Sequence, residues 1–179
     1  MKATGIVRRI DDLGRVVIPK EIRRTMRIRD GDPLEIYTEK DGEVIFKKYS
    51  PMGELSDFAV QMCETLGKST GVPVAITDRD SVIAVSGAPR RELFSKQISA
   101  ELEQLMEERQ VYHRKAGDKG MAVTDSTDKY SITVAAPILS EGDIMGSVVF
   151  FAEGDNTAGE VELKLAQTVA GFLGKQMEG

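Results

Sequence analysis

The sequence predicts an α+β protein in which antiparallel strands alternate with a few helices. Two observations indicate this class. Two hairpin patterns flank one short helix near the N-terminus, and the rest of the chain follows the order helix, two strands, helix, three strands, helix. Successive strands joined by tight turns pair antiparallel, and helices with one apolar face pack on the resulting sheet. We therefore expect a small β-rich first domain and a second domain built on an antiparallel sheet with flanking helices.

The first hairpin pattern lies just before the short helix. Residues 4–10 predict one strand, and residues 15–18, which are rich in β-branched side chains, predict a second. Residues 11–14 end in glycine and predict the turn between these strands. Pro19 suits the first helical position, because an N–H there would have no partner. A helix is therefore predicted over residues 19–27.

The second hairpin pattern follows this helix. Residues 33–38 alternate between apolar and polar side chains, and residues 43–48 provide the return strand. Asp41-Gly42 between them is a strong hairpin-turn sequence. Two hairpins and one helix in about 50 residues bury too little apolar surface to be stable alone. We therefore expect the first domain to pair with a second copy by interleaving strands.

Charge is distributed unevenly along the chain. The net charge is −5, but residues 1–29 contain nine Lys/Arg and three Asp/Glu, a net of +6, whereas residues 51–179 contain 12 Lys/Arg and 20 Asp/Glu, a net of −8. This asymmetry is typical of a polyanion-binding protein with a separate second module. Six cations, which we call the basic cluster, are the candidate contacts to a polyanion: Arg8, Arg9, Arg15, Lys20, Arg23 and Arg24.

The predicted helix has a cationic face and an apolar face. One face of the helix, an arc of roughly 100°, carries Lys20, Arg23, Arg24 and Arg27. Ile22 and Met26 lie on the opposite side. A solvated helical face is the simplest alternative explanation. The further arginines on the neighbouring strand and turn favour a polyanion-binding surface instead.

The second domain is predicted to start after a linker. Because Pro51 and Gly53 interrupt both helical and strand periodicity, we expect a first domain at 1–50, a linker at 51–55 and a second domain at 56–179. The last helix, at about 158–173, carries two adjacent apolar stripes, which is wider than packing on one sheet requires. It is either deeply buried or packed against another subunit.

Composition argues against several functions. The single histidine, His113, is expected in an exposed loop, and the single cysteine, Cys63, in a helix core, so neither favours nucleophilic or metal chemistry. Phosphate-loop and metal-spaced cysteine motifs are absent from the sequence. We therefore expect no enzyme activity, no cofactor and no metal. Without an apolar run of about 18 residues or a secretory signal, we expect a cytoplasmic protein with no membrane partner.

The run LGRVVIP at residues 13–19, followed by a basic helix, is a specific motif, and residues 34–37 and 47–49 extend it. This pattern resembles the AbrB family of swapped-hairpin DNA-binding domains. The resemblance implies a homodimer whose chains exchange hairpins into one barrel-like core. It also implies double-stranded DNA as partner, contacted by arginines at four matching positions. Those positions are Arg8, Arg15, Arg23 and Arg24, whereas Arg9 and Lys20 come from the charge pattern alone.

The second domain is similar to a GAF fold in its order of helices and strands. The whole chain resembles sporulation regulators of spore-forming Gram-positive bacteria, in which an AbrB-like domain is joined to a GAF domain. This resemblance implies a nucleoid-associated transcriptional regulator, activator and repressor, of developmental genes. The wide apolar last helix adds a second interface, so we expect a homotetramer. The GAF-like domain would either sense an unknown small molecule or serve only as an oligomerisation scaffold, which the sequence slightly favours.

Overall fold

The chain divides into two units between Tyr49 and Ser50. A computed structural model of the protein describes residues 3–178. We call residues 3–49 the head and residues 50–178 the body, and describe each separately.

The head contains one helix and one antiparallel hairpin. Helix α1 spans Lys20–Thr25, strand β1 spans Leu34–Thr38, and strand β2 spans Val44–Lys48. Gly42 in the connecting turn has a φ of 85°, a left-handed conformation that glycine adopts without steric cost. The second predicted hairpin is therefore present.

The first predicted hairpin is only partly present. Residues 3–19 contain neither a helix nor a strand, although the turn is closed by bonds from the Asp11 N–H to the Arg15 carbonyl and from the Gly14 N–H to the Asp11 carbonyl (3.0 Å each). A strand forms only where a neighbour satisfies its backbone N–H and C=O groups. Among the described residues of one chain, neither residues 4–10 nor residues 15–18 have such a neighbour, so both strand predictions are wrong for the single chain.

Helix α1 is shorter than predicted. Arg27 adopts a left-handed φ of 51°, and the Ile28 N–H donates to the Arg23 carbonyl at 2.7 Å. This pattern is the Schellman motif that ends many helices. Arg27 consequently lies beyond the helix and does not share its cationic face, which corrects the prediction. On the other face, Ile22 is half-buried, but Met26 is exposed.

The head has almost no interior within one chain. Among residues 3–49, Pro19 is the only buried residue. Strand register places Ile36 opposite Phe46, and Val44 lies on the same face two residues away. All three side chains are exposed, and Ile36 is 61% exposed. This uncovered apolar face agrees with the expectation that the head pairs with a second copy.

The body is built on a six-stranded antiparallel sheet of order β4-β3-β8-β7-β5, with β6 also paired to β7. The strands are β3 (Val74–Thr77), β4 (Val82–Ser86), β5 (Tyr112–His113), β6 (Ala122–Thr124), β7 (Thr127–Ser140) and β8 (Asp143–Glu153). The helices are α2 (Pro51–Glu54), α3 (Ser56–Thr70), α4 (Arg90–Leu93), α5 (Ala100–Glu107) and α6 (Glu160–Gln176).

The two faces of this sheet carry separate cores. Helices α3 and α6 cover one face, where Ile76 and Phe150 are fully buried. Helices α4 and α5 belong to the other core, where Val149 and Phe151 are fully buried. The alternation of Val149, Phe150 and Phe151 between the cores follows the two-residue period of a strand. The predicted α+β class with flanking helices is confirmed.

The predicted linker is part of the body. Residues 51–54 form helix α2, and Met52 is fully buried in the core beneath α3 and α6. Pro51, which was expected to interrupt structure, occupies the start of the helix, where proline is favourable. The structured body therefore begins before the predicted position of 56.

The lone histidine and the lone cysteine have structural roles. His113 is half-buried on β5 rather than in an exposed loop, and its Nε2 lies 2.7 Å from the carbonyl oxygen of Ala158. A two-residue strand gives no periodic pattern, which is why β5 escapes prediction. Cys63 is buried in α3, with its Sγ 3.2 Å from the Val74 carbonyl oxygen. Burial raises the pKa of this thiol to about 12.

Candidate nucleic-acid interface

The basic cluster occupies three short segments of the head. Arg8 and Arg9 precede the first turn, Arg15 follows it, and the remaining three members lie on α1. Five of the six are exposed, and only Arg23 is half-buried. The cluster therefore consists of accessible cations rather than of cations packed into a core.

Arg15 is oriented by a carboxylate in the turn. Its Nε donates to Oδ2 of Asp11 at 2.8 Å. The other carboxylate oxygen of Asp11 accepts the backbone N–H groups of Arg15 (2.8 Å) and Leu13 (3.0 Å). The backbone bond from Arg15, followed by its side-chain bond, lowers the pKa of Asp11, so this carboxyl group is ionised at neutral pH.

Arg23 has a carboxylate partner beyond the helix. Its Nη1 lies 2.5 Å from Oδ1 of Asp30, whose side chain is 94% exposed. Exposed ion pairs contribute little to stability, because water already solvates both charges. A phosphate group can therefore replace Asp30 as the partner of Arg23 at small cost.

The described part of the chain offers no such partner to the other four members. Among the residues that the structure describes, no ion pair or side-chain hydrogen bond holds Arg8, Arg9, Lys20 or Arg24. A cation without a protein partner can contact an external anion without first breaking a protein contact. These four side chains are therefore the members of the cluster most readily available to contact an anion.

A second carboxylate network attaches the end of α1 to the hairpin. The Nζ of Lys48 on β2 donates to the carbonyl oxygen of Arg27 at 2.7 Å and lies 3.8 Å from Oδ2 of Asp32. The same oxygen of Asp32 accepts the Arg29 N–H at 2.9 Å, and the side chain is only 5% exposed. This network fixes the basic helix relative to the hairpin.

Sequence reasoning missed these acidic residues. The clustering of the cations identified them, but no comparable pattern assigned a role to Asp11, Asp30 or Asp32. The i, i+4 spacing of Asp11 and Arg15 was the one available signal, and it has no special meaning outside a helix. Their roles depend on how the turns fold.

The described part of the chain lacks two other features of functional sites. Within residues 3–178, no group of three or more His, Cys, Asp or Glu side chains could hold a metal ion. The same residues include no helix that is both long enough and apolar enough to span a bilayer.

Comparison with known proteins separates the head from the body. Residues 54–178 match the family described as stage V sporulation protein T C-terminal, transcription factor, and residues 7–53 match antidote-toxin recognition MazE, bacterial antitoxin. The chain is 52% identical over 178 residues to stage V sporulation protein T of Bacillus subtilis (strain 168), covering 99% of each chain.

Two other proteins resemble one unit each. The transition state regulatory protein AbrB of Bacillus subtilis (strain 168) is 56% identical over 63 residues, which cover 32% of this chain and 65% of AbrB. The GAF domain of an Acinetobacter phosphoenolpyruvate-protein phosphotransferase superposes with a TM-score of 0.52 at 11% identity, covering 73% of this chain and 84% of that chain. At this identity the likeness shows the fold alone. The predicted AbrB-like and GAF-like folds are confirmed, and the chain belongs to the stage V sporulation protein T family of transcription factors, with an AbrB-like DNA-binding head.

Proposed function

We propose that the head binds double-stranded DNA through the basic cluster. The observation that carries this proposal is the set of exposed cations on the head, four of which have no ion-pair partner among the described residues. Lysine and arginine side chains neutralise phosphates and release counterions, which supplies much of the affinity of such proteins for DNA. The guanidinium groups can also fork onto guanine O6 and N7.

Pairing of two heads doubles this surface. The apolar face of Ile36, Val44 and Phe46 is left uncovered by the described residues of one chain. A two-fold dimer that buries this face carries two basic clusters related by symmetry. Helix α1 has only six residues, which is too short for a conventional recognition helix. We therefore expect many phosphate contacts and reading of DNA shape.

Binding titrations of arginine variants test this function. Arg8→Ala, Arg15→Ala, Arg23→Ala and Arg24→Ala should each weaken binding of the intact chain to a labelled DNA duplex without lowering its thermal stability. Lys40→Ala is the matched control, because it removes one exposed positive charge near the hairpin turn. If the four arginine variants bind like the control, the cluster is only a solvated surface.

The body is proposed to join head dimers into a tetramer. Helices α3 and α6 contact each other through the rings of Phe58 and Phe172, whose centroids are 5.7 Å apart. Phe172 is 41% exposed, and Val161 on the same helix is also exposed. An apolar helical face next to a complete core offers a second self-complementary surface. Two tethered head dimers would then bind DNA with two sites more tightly than one dimer.

A scaffold of this kind needs no ligand, and we propose no reaction, metal or cofactor for either unit. The alternative is a body that senses a small molecule and changes the spacing of the heads. Native mass spectrometry and thermal-shift screening of the purified intact chain distinguish the two roles. A metabolite that binds and raises the melting temperature of the body would favour the sensor. As a DNA-bound regulator, the protein is expected at the nucleoid in the cytoplasm.

A further inference from the structure

The first turn of the head holds an acidic residue where a DNA-binding surface would be expected to avoid one. Asp11 contributes a negative charge beside Arg15, which lowers the attraction of this surface for phosphate. The carboxylate is nevertheless held in place by two backbone N–H groups as well as by the arginine. An anchored carboxylate of this kind has a fixed direction.

The contact between the two side chains is selective for one part of the guanidinium group. Asp11 Oδ2 accepts from Nε of Arg15, whereas the other carboxylate oxygen is already occupied by backbone N–H groups. Within the described residues, the structure shows no hydrogen bond from either Nη atom of Arg15. The Nη edge, with two parallel N–H donors, therefore stays available as a fork.

We propose that Asp11 is a positioning residue that fixes the guanidinium group of Arg15 for directional contact with DNA. This inference rests on the proposed DNA-binding function of the head. An unrestrained arginine samples many rotamers and contacts any nearby phosphate, whereas an arginine held at Nε presents its fork in one direction. Asp11 thus lowers general attraction for DNA and raises discrimination between sequences.

A purely structural role for Asp11 makes a different prediction. Aspartate and asparagine both accept backbone N–H groups in turns of this type. Asp11→Asn therefore keeps the acceptor for Leu13 and Arg15 backbone N–H groups. It replaces the carboxylate oxygen that faces Arg15 Nε with an amide NH₂, which cannot accept a hydrogen bond. This variant separates turn formation from orientation of Arg15.

The adjacent Asp12 provides a matched control. Asp12→Asn makes the same change of charge one residue along the turn, and the described residues give Asp12 no hydrogen bond or ion pair. Loss of a negative charge alone should strengthen binding to all DNA. We expect this result for Asp12→Asn.

The experiment uses the intact chain and two labelled duplexes. The first is selected by the wild-type protein from a random-sequence pool, and the second has the same composition in scrambled order. Asp11→Asn should weaken binding to the selected duplex about tenfold, the cost of losing a forked base contact, while binding to the scrambled duplex stays equal or increases. In an Arg15→Ala background, Asp11→Asn should cause no further loss.

Each other outcome identifies which idea fails. If Asp11→Asn strengthens binding to both duplexes, as Asp12→Asn does, Asp11 does not position Arg15. If Arg15→Ala binds both duplexes like wild type, the assignment of Arg15 as a DNA contact fails instead. Arg15→Lys gives a second test that leaves Asp11 intact. Lysine keeps the charge but lacks the fork, so the affinity for the selected duplex should fall while the affinity for the scrambled duplex stays the same. If Arg15→Lys binds both duplexes with wild-type affinity, the proposal is overturned.

Discussion

Substitution of Ile36 by aspartate tests whether the head is covered by a second chain. Ile36 lies on β1 opposite Phe46, on the exposed apolar face of the hairpin. The neighbouring Tyr37 points to the other face, where its hydroxyl group bonds Glu35 and its ring lies under Lys47. Ile36→Asp and Tyr37→Asp therefore place the same charge on opposite faces of one hairpin.

A head made of one chain and a head paired with a second copy predict very different losses in the free energy of unfolding for Ile36→Asp. In a single chain, with Ile36 61% exposed, a surface substitution should change the free energy of unfolding by no more than about 0.5 kcal/mol. If a partner buries Ile36, the loss is about 1.5–3 kcal/mol of apolar burial plus several kcal/mol for an unpaired carboxylate. A homodimer carries the change twice, so the total approaches the whole stability of a small domain.

The assay is circular dichroism and sedimentation of residues 1–53 over a range of protein concentrations. Wild type should sediment as a dimer whose melting temperature rises with concentration, because association stabilises the folded state. Ile36→Asp should be unfolded, whereas Tyr37→Asp should remain a folded dimer. A folded monomer, or equal stability of the two variants, would refute the interleaved-dimer reasoning.

Three further predictions concern the body. Phe172→Asp should convert the intact chain from a tetramer to a dimer in light scattering, because it places a charge on the exposed face of α6. Gly174→Ala should destabilise the body by about 1–3 kcal/mol in thermal unfolding, since an added Cβ would lie 2.0 Å from the Leu139 carbonyl oxygen. Cys63, whose pKa is about 12, should resist alkylation at pH 8 in native protein and react in urea, as followed by mass spectrometry.

Matched measurements decide each of these predictions. Gln167→Asp adds a charge to another exposed position of α6 and should leave the mass of the tetramer in light scattering unchanged. If the wild-type chain already has the mass of a dimer, the proposed second interface does not exist. Gly171→Ala, with nothing within 4 Å of the added Cβ, should stabilise α6 by up to about 1 kcal/mol. Equal effects at the two glycines would contradict the close packing of α6 on β7. Equal alkylation rates in buffer and urea would contradict the burial of Cys63.

The sequence predicted most reliably those elements that have a local pattern and a partner in the same chain. Residues 33–48 combine strand alternation with Asp41-Gly42, and their hairpin is present. Residues 4–10 have a comparable pattern but no neighbouring strand among the described residues of one chain. Pro51 predicts an interruption but begins a helix, because sequence alone does not distinguish a helix start from a linker. The two-residue strand β5 is too short for any period.

The candidate site also contains residues that the sequence could predict and residues that it could not. Its cations could be predicted because positive charge accumulates in one short part of the sequence. Their carboxylate partners could not, because the pairing of Arg15 with Asp11 and of Arg23 with Asp30 depends on how the chain turns before and after α1. Membership of the basic cluster in the DNA interface remains a prediction, since it depends on a complex with DNA.

The dependence of DNA affinity on salt tests the central claim most directly. The logarithm of the association constant falls with the logarithm of salt concentration by about 0.9 for each neutralised phosphate. If a head dimer contacts phosphates through Arg24 of both chains, Arg24→Ala should therefore reduce the magnitude of this slope by about 1.8. Lys40→Ala should keep the wild-type slope. If Arg24→Ala also keeps that slope and affinity, while variants at the other cluster positions do the same, the basic cluster is not the DNA-binding surface.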